Sequence, residues 1–559
     1  WSGLLCIGVE VVLEITVPLL MADLIDYGVT NADGTYIIKK GLQMALCAVS
    51  ALILGVGSAK FSALAGQGLG ANIRKAEYEK LQSYSFSNID HFSVSSLVTR
   101  LTSDVTNIQN AVSTGMRPFG RSPVMLIFAT SFAFRINSTL ALVFLVALPT
   151  LAVLLILIII NVGPLYGRMQ SAIDQVNRCI QENLTAIRVV KSYVRGDYEV
   201  EKFGVVNENL KSESEKAFGT AVLNMPAMQF VMYGTILGIL LIGGRLINEG
   251  QMMIGQLTSF LSYVLLILNS LMMMSNVFLL MTRSLASAER IMEVIDEKID
   301  ITDENAKDIA VAKGEIEFDH VWFKYKDTAK EYVLSDVSFH IKPGQTVGII
   351  GQTGSSKTTL VQLIPRLYDV TKGEVKIDGI NVKEYPVRHL RDAVAMVLQK
   401  NTLFSGSLID NLRWGNENAT LDEIKEACQI ACVDEFVDRL ADGYDTEMGQ
   451  EGVNVSGGQK QRICIARAIL KKPKVLILDD STSAVDTATE AKIRSGLAEK
   501  LPDMTKIIIA QRISSVRHAD QIIIMDRGHV EAIGTHESLL RDNQIYQEIY
   551  ASQKEGADL

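Results

Sequence analysis

Six apolar stretches in the first half of the chain constrain its fold more than any other feature. They run Trp1 to Tyr27, Leu42 to Ala65, Arg117 to Phe134, Thr139 to Val162, Val222 to Leu246 and Ile254 to Met281. Each approaches or exceeds the ~20 residues that an α-helix needs to cross a bilayer. In hydrocarbon every backbone polar group has to be satisfied inside the segment, so this succession predicts an all-α membrane domain. The connections are unequal. Those after the first, third and fifth stretches are short. Those after the second and fourth are long, polar and helix-like, and they carry Arg74, Lys75, Lys80 and Arg100 in one and Arg168, Arg178, Arg188, Lys191, Arg195 and Lys202 in the other. That excess of basic residues places the long connections, and with them the second half of the chain, on the cytoplasmic side.

Composition divides the 559 residues at the same place. The mean hydropathy of +0.21 averages a very apolar first half with an ordinary soluble second half, and the length implies more than one domain. A formal net charge of −9 argues against a nucleic-acid partner. The six cysteines, Cys6, Cys47, Cys179, Cys428, Cys432 and Cys464, form no CxxC pair and read as reduced thiols. The chain opens at Trp1 within an apolar run, which predicts a preceding segment in the intact protein, and no signal peptide with a cleavage site is visible. Glu10 and Glu14 lie four apart, on one face of the first span. A carboxylate in lipid is costly, so that face points either into a substrate cavity, where it binds cations, or at a neighbouring helix. The run LMMMS, Leu271 to Ser275, offers an adaptable apolar surface or ordinary packing.

After Met281, SLASAERIMEVIDEKID reads as a charged helix leaving the membrane, 301–313 as a linker, and GEIEFDHVWFKY as the start of a soluble domain. A strand over Thr346 to Ile350 runs into GQTGSSKT at 351–358. Small residues there let backbone amides close around phosphates, with Lys357 reaching the β- and γ-phosphates and the Thr358 hydroxyl reaching Mg²⁺. A second buried strand, Lys474 to Leu478, ends in Asp479 and Asp480, where a carboxylate holds Mg²⁺ beside a nucleotide. Between them a Ser-Gly-Gly turn opens a helix over Gln459 to Leu470, whose N-terminus presents a second surface to an anion.

These motifs, in this order and spacing, resemble the nucleotide-binding domain of ATP-binding-cassette (ABC) proteins, with VSGGQ as the family signature and LILDD as Walker B. With the six spans, the chain resembles a half-transporter of a type IV, multidrug-resistance-like ABC exporter. The implied fold is a multidomain membrane protein: a six-helix all-α transmembrane domain over 1–300, then an α/β P-loop nucleotide-binding domain over 314–559. The resemblance implies ATP and Mg²⁺ as cofactors. It puts Gly351, Gln352, Thr353, Gly354, Ser355, Ser356, Lys357, Thr358 and Thr359 around the phosphates and stacks Tyr325 on adenine. It assigns Thr358, Gln399 and Asp479 to the metal, and makes Ser456, Gly457, Gly458 and Gln459 complete a partner's ATP site. Ser483, Ala484, Val485 and Asp486 are the implied D-loop, and Glu451 is the implied contact to coupling helices. The stretches near 85–105 and 182–203 resemble the two intracellular loops whose short coupling helices dock on nucleotide-binding domains.

Four positions depart from the family pattern, one of them Val455 for the usual Leu just before Ser456. Ser356 stands where the phosphate loop usually has its last Gly, Asp480 where hydrolysing members have Glu, and Gln511 where they have a His. Asp sets its carboxylate back by roughly 1 Å, and a misplacement of that order can cost ~10²-fold in rate. Gln donates a hydrogen bond but carries no charge and shuttles no proton. Asp480 and Gln511 therefore predict a site that binds ATP and hydrolyses it poorly. The intact signature would serve a partner, so the expected assembly is a heterodimer with a second half-transporter that keeps the catalytic Glu and His. The implied activity is ATP-driven export of amphipathic molecules (drug, lipid or peptide) across the cytoplasmic membrane. A homodimeric exporter, or an ATP-gated or regulatory subunit, is the alternative. Six spans exclude a soluble ABC ATPase, and importers usually keep their membrane and ATPase parts on separate chains. A peptide exporter with a fused protease would need a Cys/His domain before the first span.

Overall fold

The apolar stretches lie within helices that extend well past them. Gly34–Gln82 and Ser138–Thr185 are 49 and 48 residues long. At 1.5 Å per residue each is more than twice the ~30 Å of the hydrocarbon core, so both extend well beyond it. The others are Ser2–Asp23, continued by a π-helical turn over Leu24–Val29, then Met116–Ile136, Asn224–Asn248 and Ile254–Asp296. The computed structural model describes residues 1–326, 328–480 and 485–555. Among them five helices are long and apolar enough to span a membrane: Ser2–Val29, Gly34–Gln82, Ser138–Thr185, Gly196–Asn248 and Ile254–Met274. Met116–Ile136, which holds the third stretch, falls outside that set because Arg117, Arg121 and Arg135 lower its hydropathy. It packs against Ser2–Asp23 and Ile254–Asp296 all the same.

Two units organise the chain, Trp1–Lys80 with Ser95–Asp296, and Leu81–Val94 with Glu297 onward. In the first, stripes at helical spacing meet in one core: Ile7, Val11 and Ile15; Met125, Ala129 and Ala133; Phe260, Tyr263, Val264 and Ile267. The long second helix buries only small residues and one acid along its length, Gly55, Ser58, Ser62, Gly66, Gly70 and Glu77. A Cβ at Gly66 would sit 2.7 Å from the Ser113 side chain, which shows how closely the backbones approach there.

The second unit is built on strands β1 Ile316–Phe323, β2 Leu334–Ile341, β3 Thr346–Gly351, β4 Lys372–Ile377, β5 Ile380–Asn381, β6 Val394–Val397, β7 Gly406–Ser407, β8 Glu447–Met448, β9 Val475–Asp479, β10 Thr505–Ile509, β11 Gln521–Asp526 and β12 His529–Gly534. The main sheet has the order β12-β11-β3-β10-β9-β6, parallel except for the edge strand β12. Its inner strands are apolar on both faces, as a covered parallel sheet requires. Val475, Ile477, Ile507, Ile509, Ile523 and Met525 face the core shared with the antiparallel sheet β2-β1-β4-β5, while Leu476, Leu478, Ile508, Ile522 and Ile524 face the helical side.

The stretch 301–313 is pinned to this unit. The N–H groups of Ala312 and Lys313 donate to Asp378 at 2.7 and 2.9 Å, and the Lys307 N–H donates to Glu384 O at 2.7 Å. Part of the first expected coupling segment belongs here too. Helix Phe86–His91, capped by the Ser85–Asn88 box, receives the Tyr368 hydroxyl on Asp90 at 2.7 Å, and Asn88 Nδ2 donates to Lys298 O at 2.8 Å. The second expected segment, in the other unit, forms a short helix, Ile187–Ser192, that buries no residue. Its tip exposes Val189 at 56%, Tyr193 at 76% and Val194 at 88%.

Candidate nucleotide site

The parallel strands bring three separated segments to one edge. β3 delivers the phosphate loop, β9 delivers Asp479 and Asp480, and the turn beyond β10 delivers Gln511, all at strand carboxyl ends, where open α/β sheets bind ligands. Two strands end elsewhere than the sequence suggests: β9 one residue later than Leu478, and β10 two residues short of Gln511, in a stretch, KIIIAQR, that reads as one strand. The β9 pairing runs through Asp479, and β10 stops at Ile509, so Gln511 sits on the following turn and not on a strand. A cavity of about 220 Å³ is lined by Thr353, Gly354, Ser356, Lys357, Thr358, Gln399, Asp479, Asp480, Ile509 and Gln511. None of Ser456, Gly457, Gly458 and Gln459 lines it.

Ser356 adopts φ 71°, ψ 23°, in the left-handed region. This is the physical reason a glycine suits the position, since a Cβ there crowds the following carbonyl. Gly351 has the opposite constraint: a Cβ would lie 2.2 Å from Met525 O and 2.7 Å from Ser355 Oγ. The Lys357 ammonium donates to Gly351 O and Gln352 O, each at 2.9 Å, and to Ser355 Oγ at 3.3 Å. Burial holds its pKa below the usual lysine value, against the pull of Asp480 and Asp479.

Thr358 Oγ1 donates to Asp479 Oδ1 at 2.9 Å. Asp479 is buried, and its second oxygen has no partner among the described residues. A buried, half-satisfied carboxylate beside a hydroxyl is a donor set that suits a hard cation. Thr358, Asp479 and Gln399 therefore fit Mg²⁺. Burial raises the carboxyl pKa of both Asp479 and Asp480. Gln511 Nε2 donates to Asp480 Oδ2 at 2.8 Å, and Asp480 itself has φ 47°. Tyr325 is 44% exposed, with its hydroxyl bonded to Thr359 Oγ1 at 2.8 Å and its ring edge-on to Tyr368 at 5.2 Å.

The signature helix begins two residues before the expected start. It runs Gly457–Leu470 with Ser456 as N-cap, and Ser456 and Gln459 cap each other's backbone N–H, at 3.3 Å for Gln459 N–H and 2.8 Å for Ser456 N–H. Glu451, in the turn after β8, is exposed with φ 54°. Asp486 caps helix Thr487–Lys500 through the Thr489 N–H at 3.0 Å, and Val485 is buried; Ser483 and Ala484 lie outside the described residues.

Glu10 and Glu14 are not placed as a cation site. Arg117 donates to Glu10 at 2.6 Å, and Arg121 donates to Glu14 at 2.6 Å and reaches Glu10 at 3.5 Å. Two guanidiniums of the packed helix Met116–Ile136 pair with the two carboxylates, as the neighbouring-helix alternative expects. The signal was present in the sequence: Arg117 and Arg121 have the same four-residue spacing as the acids. Of the Met run, Leu271 and Met272 pack on the core while Met273 and Met274 are exposed. All six cysteines are free thiols.

Two family models match the chain, the ABC transporter transmembrane region over residues 1–271 and the ABC transporter model over residues 334–483. An uncharacterized ABC transporter ATP-binding protein of Bacillus subtilis (strain 168), YfiB, is 38% identical over 98% of this chain and 96% of its own length. From the same strain, YgaD, provisionally named a multidrug export ATP-binding/permease protein, is 32% identical over 86% of this chain and 83% of its own. The structure of a bacterial Atm1-family ABC exporter with ATP bound superposes with a TM-score of 0.84 at 23% identity, over 99% of this chain and 97% of the other.

Proposed function

Because the chain belongs to the ABC transporter family, we propose that it is one half of an exporter that uses ATP to move amphipathic small molecules outward across the cytoplasmic membrane. The name of YgaD supports the substrate class. The nucleotide-binding domain lies on the cytoplasmic side, as it does throughout the family. Lys357 and the loop amides hold the phosphates, Thr358, Gln399 and Asp479 hold Mg²⁺, and Tyr325 receives the adenine. Mg²⁺ bound by these residues would offset charge on the phosphates.

The observation that carries the finer reading is the pairing of Asp480 with Gln511 at 2.8 Å, beside intact binding groups. A carboxylate one methylene short and a neutral amide are poor means to orient and deprotonate water. This chain's own site therefore holds ATP and turns it over slowly. The signature residues do not line that cavity, which fits a head-to-tail dimer in which each signature closes the partner's site. A partner with an intact Glu and His would then supply the fast site. ATP binding closes the dimer, and the membrane halves shift between inward and outward states.

Steady-state ATPase in nanodiscs tests this, with the chain alone and mixed with a second half-transporter that carries the intact residues. A nearly inactive chain, an active mixture, and loss of that activity on substituting the partner's catalytic Glu by Gln are the expected results. Brisk turnover by the chain alone would favour a symmetric homodimer instead.

A further inference from the structure

Helix Gln544–Glu555, the last among the described residues, lines no part of the nucleotide cavity, yet it reaches the turn that carries Gln511. Its seat is set by Tyr546, which is fully buried and bonded through its hydroxyl to His536 Nδ1 at 2.7 Å. Tyr550, whose ring lies 5.8 Å from that of His536, is four residues further on and Gln553 seven, so all three share one face. Gln553 thereby meets the turn after β10 with both ends of its amide. The Ile513 N–H donates to Gln553 Oε1 at 2.9 Å, and Gln553 Nε2 donates to Gln511 O at 2.8 Å. The short helix Ile513–Val516 has no side-chain cap from its own N-cap residue, Arg512. One neutral amide thus satisfies an N–H and a C=O that flank Arg512. A carboxylate lacks the donor, and an alanine lacks both groups.

We propose that Gln553 is a positioning residue for hydrolysis at this chain's own nucleotide site. It holds the backbone from which Gln511 reaches Asp480, so the C-terminal helix sets the geometry of that pair. The inference rests on Asp480 and Gln511 being the pair that acts on the attacking water.

The test is single-turnover ATP hydrolysis by the full-length chain in nanodiscs, followed for hours so that a slow site is resolved. Gln553→Ala is expected to lower the rate constant on the order of tenfold, less than the ~10²-fold of a full 1 Å misplacement, with half-saturating ATP unchanged. In a Gln511→Ala background the same substitution is expected to cost less than about twofold, because a residue that acts through Gln511 has nothing left to act on. An equal loss in both backgrounds, or a loss that appears in ATP affinity, would make Gln553 a packing residue and overturn the proposal. Gln553→Glu keeps the size, the helix and the acceptor for Ile513. It should slow hydrolysis at an unchanged thermal midpoint, and a Glu variant at full rate would also overturn the proposal. The cycle compares ratios, so fast hydrolysis by the unsubstituted chain would count against the slow-site reading while leaving the Gln553–Gln511 coupling measurable.

Discussion

At the scale of single residues, the phosphate loop carries a strain that a comparison of letters only hints at. Ser356 sits at φ 71° immediately before Lys357, and Asp480 at φ 47° immediately after Asp479. The left-handed region costs an L-residue roughly 1–2 kcal/mol, and Asp tolerates it better than most side chains. Ser356 lacks that advantage, so its strain is borne by the surrounding loop. Ser356→Gly is accordingly expected to stabilise the full-length chain by about 1 kcal/mol, read as a higher thermal midpoint, and to leave Lys357 and Thr358 in place. A lower midpoint would show that the serine side chain makes a compensating contact. The departure was legible as a missing glycine, while its cost needed the backbone angle. Asp480 and Gln511 were legible as deviations too, but their hydrogen bond depends on β9 and β10 lying side by side, which spacing alone does not establish.

At the scale of elements, the first membrane helix and Met116–Ile136 are joined by charge as well as by packing. Glu10 is 3% exposed, and its partners on Met116–Ile136 are Arg117 and Arg121. Breaking a buried ion pair by removing one partner typically costs 3–5 kcal/mol, whereas replacing both partners is often neutral. Arg121→Leu should therefore lower the thermal midpoint in detergent steeply, and Glu14→Leu added to it should recover much of the loss. If the double variant is no better than the single one, the pair is not what joins these helices. The pairing also accounts for the third stretch, whose arginines take it below the hydropathy of a free-standing span while the acids facing them make its burial affordable.

At the scale of the whole molecule, the two intracellular segments differ in what covers them. The first has Asp90 bonded to Tyr368 within its own compact unit. The second ends in Val189, Tyr193 and Val194, exposed in the single chain. An apolar tip of this kind calls for a partner surface. In the proposed dimer it would dock on the other half's nucleotide-binding domain. Tyr193→Asp should then uncouple substrate-stimulated ATPase from ATP binding, which stays intact. Full stimulation in that variant would show that the tip docks on nothing that matters for turnover.

The sequence by itself determined the membrane helices and the P-loop sheet, and it singled out the loop proposed to hold the phosphates. Each of these follows from periodicity, from length, or from a motif contained in one continuous segment. Only the tertiary structure decided what Glu10 and Glu14 face, where Gln511 stands relative to Asp480, and that Gln553 meets the Gln511 turn. Those relations join residues 107, 31 and 42 positions apart in the chain. They depend on helix rotation and strand order, which local propensity and spacing leave open.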